Sequence, residues 1–591
     1  MQNKIGELRP SQLITTFGPG AIMELPEFSV IIAGIDKWEK KLCEKINEPR
    51  LIRKLGIQEI LTPPASKFDS VTYEGTLPAY RFPRYLVCPA CRKLGTPEKF
   101  YINEGTQVAY CQCNRENPVK AFPSRFVVAC KKGHVDDFPW KRFVHGKKRN
   151  PSCKGDKLKL LDNGKTGAIA DIEVLCEDCG EKRSLQDAFS ERHKLGRCSG
   201  HKHWLGPSVR EDCDQGLRPM LRGASNIYFP VVESALAIPP YTNPLHSIVA
   251  ENMDRLTELE TIEDLEAAIR LIYKELREYP LQEVWKAIQL QKNLPTGESQ
   301  DLLFPEWEAL MRGSLPNGDY DFETEEQQVP EEYQKYISKL VMVRRLTEVR
   351  VLDGFTRIDP LPDATSLLSG EQATGESGLK AELSQTRVNW RPGIMTRGEG
   401  IFVALNEDTL SEWEARVENA VKYMETAFER YCEDRGLEKE YRPAFPGARY
   451  ILLHTLAHSL MRQLCLNSGY SSTALRERIY SRNKPGQKMA GILIYTATPD
   501  SEGSLGGLVE LAKTDNFRGV LWHTLQDARF CSGDPLCAEH KPEAVGDLNG
   551  AACHACLLAA ETSCERSNLF LDRSFLIGTV SEQNLAFFQE E

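Results

Sequence analysis

The 591-residue chain has no run of 18 apolar residues, so no segment of it reads as a membrane-spanning helix. Its opening residues, MQNKIGELRPSQ, lack the basic stretch and apolar core of a secretory signal. The protein is therefore expected in the cytoplasm, with no membrane among its partners. A phosphate-binding loop is missing as well. Gly164-Lys165-Thr166 has the end of such a loop, but the motif needs a glycine at position 159, which is Lys159. No Asp-Glu-x-His motif accompanies it, and Asp136-Asp137 sits in a Cys/His turn, not after a buried strand. The chain should not hydrolyse nucleoside triphosphates, and it reads as a non-enzyme. His454-Thr-Leu-Ala-His458 puts two imidazoles one helical turn apart, but Thr455 stands where a metalloprotease carries its glutamate base. Core or helix-contact histidines are the expectation there, and a zinc-dependent hydrolase the alternative.

Cysteine is absent between Cys213 and Cys432, yet eleven cysteines lie from Cys43 to Cys213 and seven from Cys432 onward. Reducing cytosol disfavours disulfides, so clustered cysteines there point to metal. Cys88-Pro-Ala-Cys91 followed by Cys111-Gln-Cys113 has the form of a zinc ribbon, two knuckles whose four thiolates close a tetrahedron. Cys176-Glu-Asp-Cys179 supplies another knuckle. Cys198 and Cys213 are its favoured completion, with His201 and His203 nearby. A third set joins Cys130 and His134 to Cys153, its fourth ligand being His145 or a member of the Cys198–Cys213 group. At the C-terminus five cysteines compete for four positions. Cys553 and Cys556 form the knuckle, Cys564 and Cys537 complete the preferred set, and Cys531 is the alternate. Two to four structural Zn²⁺ ions are expected. Sites saturated by thiolate lack the open position that catalysis needs. Cys432 and Cys465, on apolar helices, read as core.

Charge is as uneven as cysteine. Residues 81–160 hold 18 Lys and Arg against 6 Asp and Glu, whereas residues 251–335 hold 8 against 21, in a chain of net charge −10. A local basic patch permits nucleic-acid contact where the global balance does not. Lys131, Lys132, Lys147, Lys148 and Arg149 are the candidate DNA contacts. The competing reading is that basic and acidic faces pair with each other. Ser504-Leu-Gly-Gly-Leu-Val-Glu510 could nest a phosphate, or simply turn into a helix.

The expected fold is α+β and multi-domain: a zinc-ribbon-like N-terminal region, a helical middle and a mixed α/β C-terminal zinc-binding domain. Residues 1–84 read as a strand and turn segment suited to partner contact, with a tight turn at Gly18-Pro-Gly20. Residues 85–215 form the basic Cys-rich region. Residues 216–440 are helical and mixed, with an acidic linker near 293–335, and residues 441–591 form the four-cysteine domain. Within these, Leu265, Ile269 and Ile272 should share a helix face with Thr261 as N-cap. Helices are predicted over 409–435 and 447–466, and a buried strand over 491–498.

Several C-terminal motifs, RYILLHTLAHSLMRQL, GILIYTAT, SLGGLVEL, CSGDPLC and LNGAACHACLLAAETSCERSNLFLDRSFLIG, together resemble the zinc-binding domain appended to certain DExH helicases. RPSQLITTFGPGAI and ACKKGHVDDFPW look like the DrmB family, the non-motor core proteins of the DISARM bacterial anti-phage system. The resemblance implies an accessory role beside a separate DrmA-like helicase subunit that engages invading DNA, with a linked DNA methyltransferase marking host DNA. It also implies that Cys537, Cys553, Cys556 and Cys564 match the domain's cysteine site.

Overall fold

Long apolar strands organise the molecule. In this computed structural model the described residues are 6–589, except 66, 69–72, 75, 147–152, 163, 165–167, 191–194, 242–243, 294–300, 314–320, 361–379, 435–438, 440–441, 497–505 and 543–546. The central sheet contains β1 (Phe229–Ala237), β2 (Glu323–Gln327), β3 (Ile337–Thr356), β4 (Trp390–Leu405), β5 (Leu475–Arg482) and β6 (Met489–Thr496). The order β1-β3-β4-β6-β5 is antiparallel throughout, β2 pairs with β3, and Glu59–Leu61 adds a parallel pairing beside Trp390–Pro392 of β4.

Both faces of this sheet are covered, so β3 is buried along most of its length and β6 reads as a near-continuous apolar run. The pleat still sorts them by parity. Leu340, Met342, Ile401, Val403, Ile492 and Ile494 join one core, and Val341, Val343, Phe402, Ala404, Leu493 and Tyr495 join the other. Against the first face lie α2 (Glu407–Asp434), α3 (Gly447–Ser468) and α4 (Thr514–Arg529); α1 (Leu303–Arg312) packs on the second. Helix α3 is buried almost all round, as a helix enclosed by a sheet and other helices must be.

The acidic stretch 293–335 is not a linker. Its described part contributes α1 and β2, because its carboxylates meet arginines of the sheet. Glu306 is fully buried, receives Arg478 Nε at 2.5 Å and Nη2 at 2.9 Å, and accepts from Tyr480 Oη and the Leu236 amide. Glu325 pairs with Arg344 and Glu326 with Lys339. The expected boundary at 440/441 also runs through the sheet, since β1 to β4 precede it and β5 and β6 follow it. Thr261 caps its helix in a reciprocal box with Asp264, and Leu265 and Ile269 are buried; Ile272 is 60% exposed because the helix has already ended at Leu271.

From Leu86 to Leu221 no described strand exceeds five residues. A six-stranded sheet (122–123, 86–87, 93–95, 158–162, 172–176, 182–184) and a three-stranded one (135–137, 126–129, 218–221) hold this region. Fully buried Arg357, at the end of β3, fastens it to the centre by donating to the carbonyls of Gly20, Gly133 and Ile227. Gly20, at φ +86°, is pressed so closely on Phe355 that a Cβ there would lie 2.4 Å from the ring.

Candidate metal centres

Among the described residues, four clusters of Cys and His side chains that matter here each bring four ligand atoms within 4.8 Å of one another. The first is Cys88, Cys91, Cys111 and Cys113, where two turns face each other with Cys88 Sγ 3.8 Å from Cys113 Sγ and Cys91 Sγ 3.6 Å from Cys111 Sγ. Zinc–sulfur bonds of about 2.3 Å make tetrahedral edges of about 3.8 Å. Cys88 N–H donates to the Lys93 carbonyl at 2.9 Å and closes a small hairpin behind the knuckle, and Arg92 adopts a left-handed φ of 63° between the strands.

The second and third clusters re-sort the predicted ligands. Cys198 and Cys213 do not complete the Cys176–Cys179 knuckle; they join Cys130 and His134. Cys153 leaves the Cys130 set and, with His145, completes the Cys176–Cys179 site. The strand Lys182–Ser184 and the helical turn Gln186–Phe189 carry the chain away from Cys179, so nearness in sequence misleads. His145 Nδ1 donates to the Lys141 carbonyl at 2.6 Å, which leaves Nε2, 3.3 Å from Cys153 Sγ, free to bind metal. His134 presents Nδ1 to Cys130 Sγ at 3.4 Å, and the Glu211 carboxylate lies 3.0 Å from its other nitrogen. Both are the ligand-orienting arrangements expected around bound zinc.

The fourth cluster is Cys531, Cys537, Cys553 and Cys556. Cys531, the alternate, takes the place expected for Cys564, at 3.4 Å from Cys553 Sγ, while Cys537 lies 3.7 Å from Cys556. The Gly533 amide donates to Cys531 Sγ at 3.3 Å. Cys564 stands instead with His454, His458 and Glu477. Spacing could not make that choice, since Cys564 follows the knuckle by only eight positions; the chain in between folds back across α3 to the end of β5.

The donor sets fit zinc. Burial, reinforced by neighbouring thiols, pushes Cys111 up to about 12 and Cys176 and Cys556 up to about 11. Four such thiols cannot all ionise side by side, whereas a divalent cation at their centre keeps all four as thiolates. Each set is complete in protein ligands, so it suits a structural ion.

Of the basic candidates, Lys131 lies 3.7 Å from Asp359 and Lys132 3.0 Å from Asp214. Lys147, Lys148 and Arg149 fall outside the described residues, as do Lys165 and Thr166 of the rejected phosphate loop and Ser504 and Leu505 of the candidate nest. Asp136 meets Ser199 at 2.6 Å, His201 at 3.0 Å and His203 at 3.1 Å. Although burial opposes it, the bonds from His203, His201 and Ser199 hold that carboxyl well below the ordinary range.

These features define a multi-domain α+β protein built around zinc clusters. Residues 456–557, which contain the whole fourth cluster, match the MrfA Zn-binding domain, and residues 9–229 match a domain of unknown function, DUF8724. The chain is 34% identical over 600 residues to DISARM protein DrmB of Bacillus paralicheniformis, across 95% of this chain and 98% of that protein. It belongs to the DrmB family of the DISARM defence system. Among solved structures, the DUF1998 helicase MrfA bound to DNA is similar at 11% identity, over 39% of this chain and 23% of that one; its TM-score of 0.20 carries no argument. No described helix is long and apolar enough to cross a membrane.

Proposed function

We propose that this chain is a zinc-containing accessory subunit of a DNA helicase complex that acts in the cytoplasm against phage DNA. It helps to engage or gate DNA while a DrmA-like helicase partner hydrolyses ATP, and a DNA methyltransferase of the same system marks host DNA. The observation that carries this reading is the relationship to DISARM protein DrmB along 95% of the chain. Closed, thiolate-rich clusters support a role without chemistry of its own, because a catalytic zinc needs an open position. The hydrolase reading loses its support, since His454 and His458 are 0% and 2% exposed and face protein ligands instead of a cleft.

DNA contact is assigned to the basic zinc-bearing segment, with Lys131, Lys132, Lys147, Lys148 and Arg149 against phosphate. Reversing these five charges in the chain purified with its helicase partner should leave the complex intact. DNA affinity should fall by about tenfold or more and its salt dependence should flatten. Undiminished affinity would favour a second reading, a scaffold that holds the motor without touching DNA. That reading draws on the pairing of Lys131 with Asp359 and Lys132 with Asp214, which spends their charge inside the molecule.

A further inference from the structure

His454 and His458 lie one turn apart on α3, and their rings meet Glu477 of β5 and Cys564 of the C-terminal loop. His454 Nε2 is 3.1 Å from Cys564 Sγ and 3.1 Å from Glu477 Oε1, and His458 Nε2 is 3.4 Å from Glu477 Oε2. A tetrahedral zinc with bonds of about 2.0–2.3 Å would space N, O and S ligands by about 3.3–3.8 Å. The thiolate clusters show the same range of separations.

Hydrogen bonding alone does not account for this geometry. His458 Nδ1 lies 2.9 Å from the Leu557 carbonyl, which can only accept, so Nδ1 carries the proton. Its Nε2 faces the Glu477 carboxylate at 3.4 Å. The two atoms are buried and close, yet neither His458 Nε2 nor Glu477 Oε2 has a hydrogen-bond partner, and His454 Nδ1 has none either. Four ligand-capable atoms converging in a buried space make room for a cation between them.

The surroundings are those of a metal knuckle. Amides of Arg566 and Asn568 donate to Cys564 Sγ at 3.4 and 3.2 Å, as the Gly533 amide does to Cys531. Ser567 and Asn568 take left-handed φ of 51° and 61°, which folds that turn around the sulfur. The Leu557 carbonyl orients His458 and the Glu565 amide, at 3.0 Å, orients Glu477. A cavity of about 120 Å³ borders Glu477, Ser563 and Cys564.

We infer that His454, His458, Glu477 and Cys564 form a fifth, mixed-donor site for a divalent transition-metal ion, Zn²⁺ by its borderline ligand set. Two neutral imidazoles, one carboxylate and one thiolate make the loaded site electrically neutral, which suits its burial. The four-cysteine sites, at net −2, lie where Cys113 and its neighbours reach solvent. All four positions are filled by protein, so this ion is a clasp joining α3, the central sheet and the loop that follows the C-terminal zinc knuckle. His454 and Cys564 fall outside the stretch that matches the MrfA Zn-binding domain.

The test is metal content of the full chain by mass spectrometry, with anomalous scattering at the zinc edge to place each ion. Five equivalents are expected, with a peak between His454 Nε2, His458 Nε2, Glu477 and Cys564 Sγ. Cys564→Ser and His454→Ala should each lose one equivalent, and Cys531→Ser a different one. Four equivalents with no peak at this position would overturn the inference. The wild-type anomalous map decides the matter even if the variants fail to fold.

Discussion

Residues 86–221 and the central sheet with its covering helices reach order by different routes. The first region uses short strands, a high positive charge and few large cores; the second uses strands of up to 20 residues and a helix buried on nearly every side. Short strands bury too little apolar surface to offset chain entropy, and metal ligation supplies what is missing. Long strands covered on both faces need no such help. The comparison teaches that the clustered ligands of residues 86–221 stand where the core is thin, and that ionic pairs are buried where the core is thick, as Glu306 with Arg478 is.

Metal removal should break the comparison most visibly. Chelation with EDTA and a thiol reagent should abolish protease resistance and amide protection over 86–221 while strands 337–356 and 390–405 keep theirs. Structural zinc contributes on the order of 10 kcal/mol or more to such small folds. Loss of both regions together would show that they form one cooperative unit. The next largest effect falls within the sheet region. Glu306→Ala leaves Arg478 buried without its carboxylate and should cost about 3–5 kcal/mol in denaturant unfolding, with zinc content unchanged.

Leu456→Ala, on the wholly buried helix α3, should cost about 2–5 kcal/mol through the cavity it leaves. Its effect should again spare the metal sites of 86–221; a loss of zinc there would contradict independent stabilisation. The smallest effect is a gain. Burial pushes the Glu233 carboxyl up to about 7. Because the folded value lies above the unfolded one, its contribution is complete below about pH 4.5 and is lost as pH rises through 7. Glu233→Gln should therefore raise stability above pH 7 by about 1–3 kcal/mol and flatten the profile between pH 4.5 and 7. A variant with the wild-type profile would place the titration elsewhere.

Much of the architecture can be read from local pattern. The apolar helix predicted at 447–466, the amphipathic one from 409 and the buried strand from 491 were legible, and are described as Gly447–Ser468, Glu407–Asp434 and Met489–Thr496, because burial leaves a direct imprint on residue type. The acidic segment was not. Polar composition reads as loop, and only the arginines brought to it across the sheet make Glu306 a core residue.

The same division holds for metal. By itself the sequence determined that clustered cysteines are gathered into metal-binding groups, that Cys88, Cys91, Cys111 and Cys113 belong together, and that Cys553 and Cys556 share a knuckle, because ligands two or three positions apart must lie on one turn. Only the tertiary structure decided that Cys198 and Cys213 go to Cys130 and His134, that Cys153 goes to Cys176 and Cys179, and that Cys531 displaces Cys564. It alone brought Glu477 to two histidines of α3. Those ligands come from separate elements, and a tetrahedron is closed by distance in space, which sequence separation does not encode.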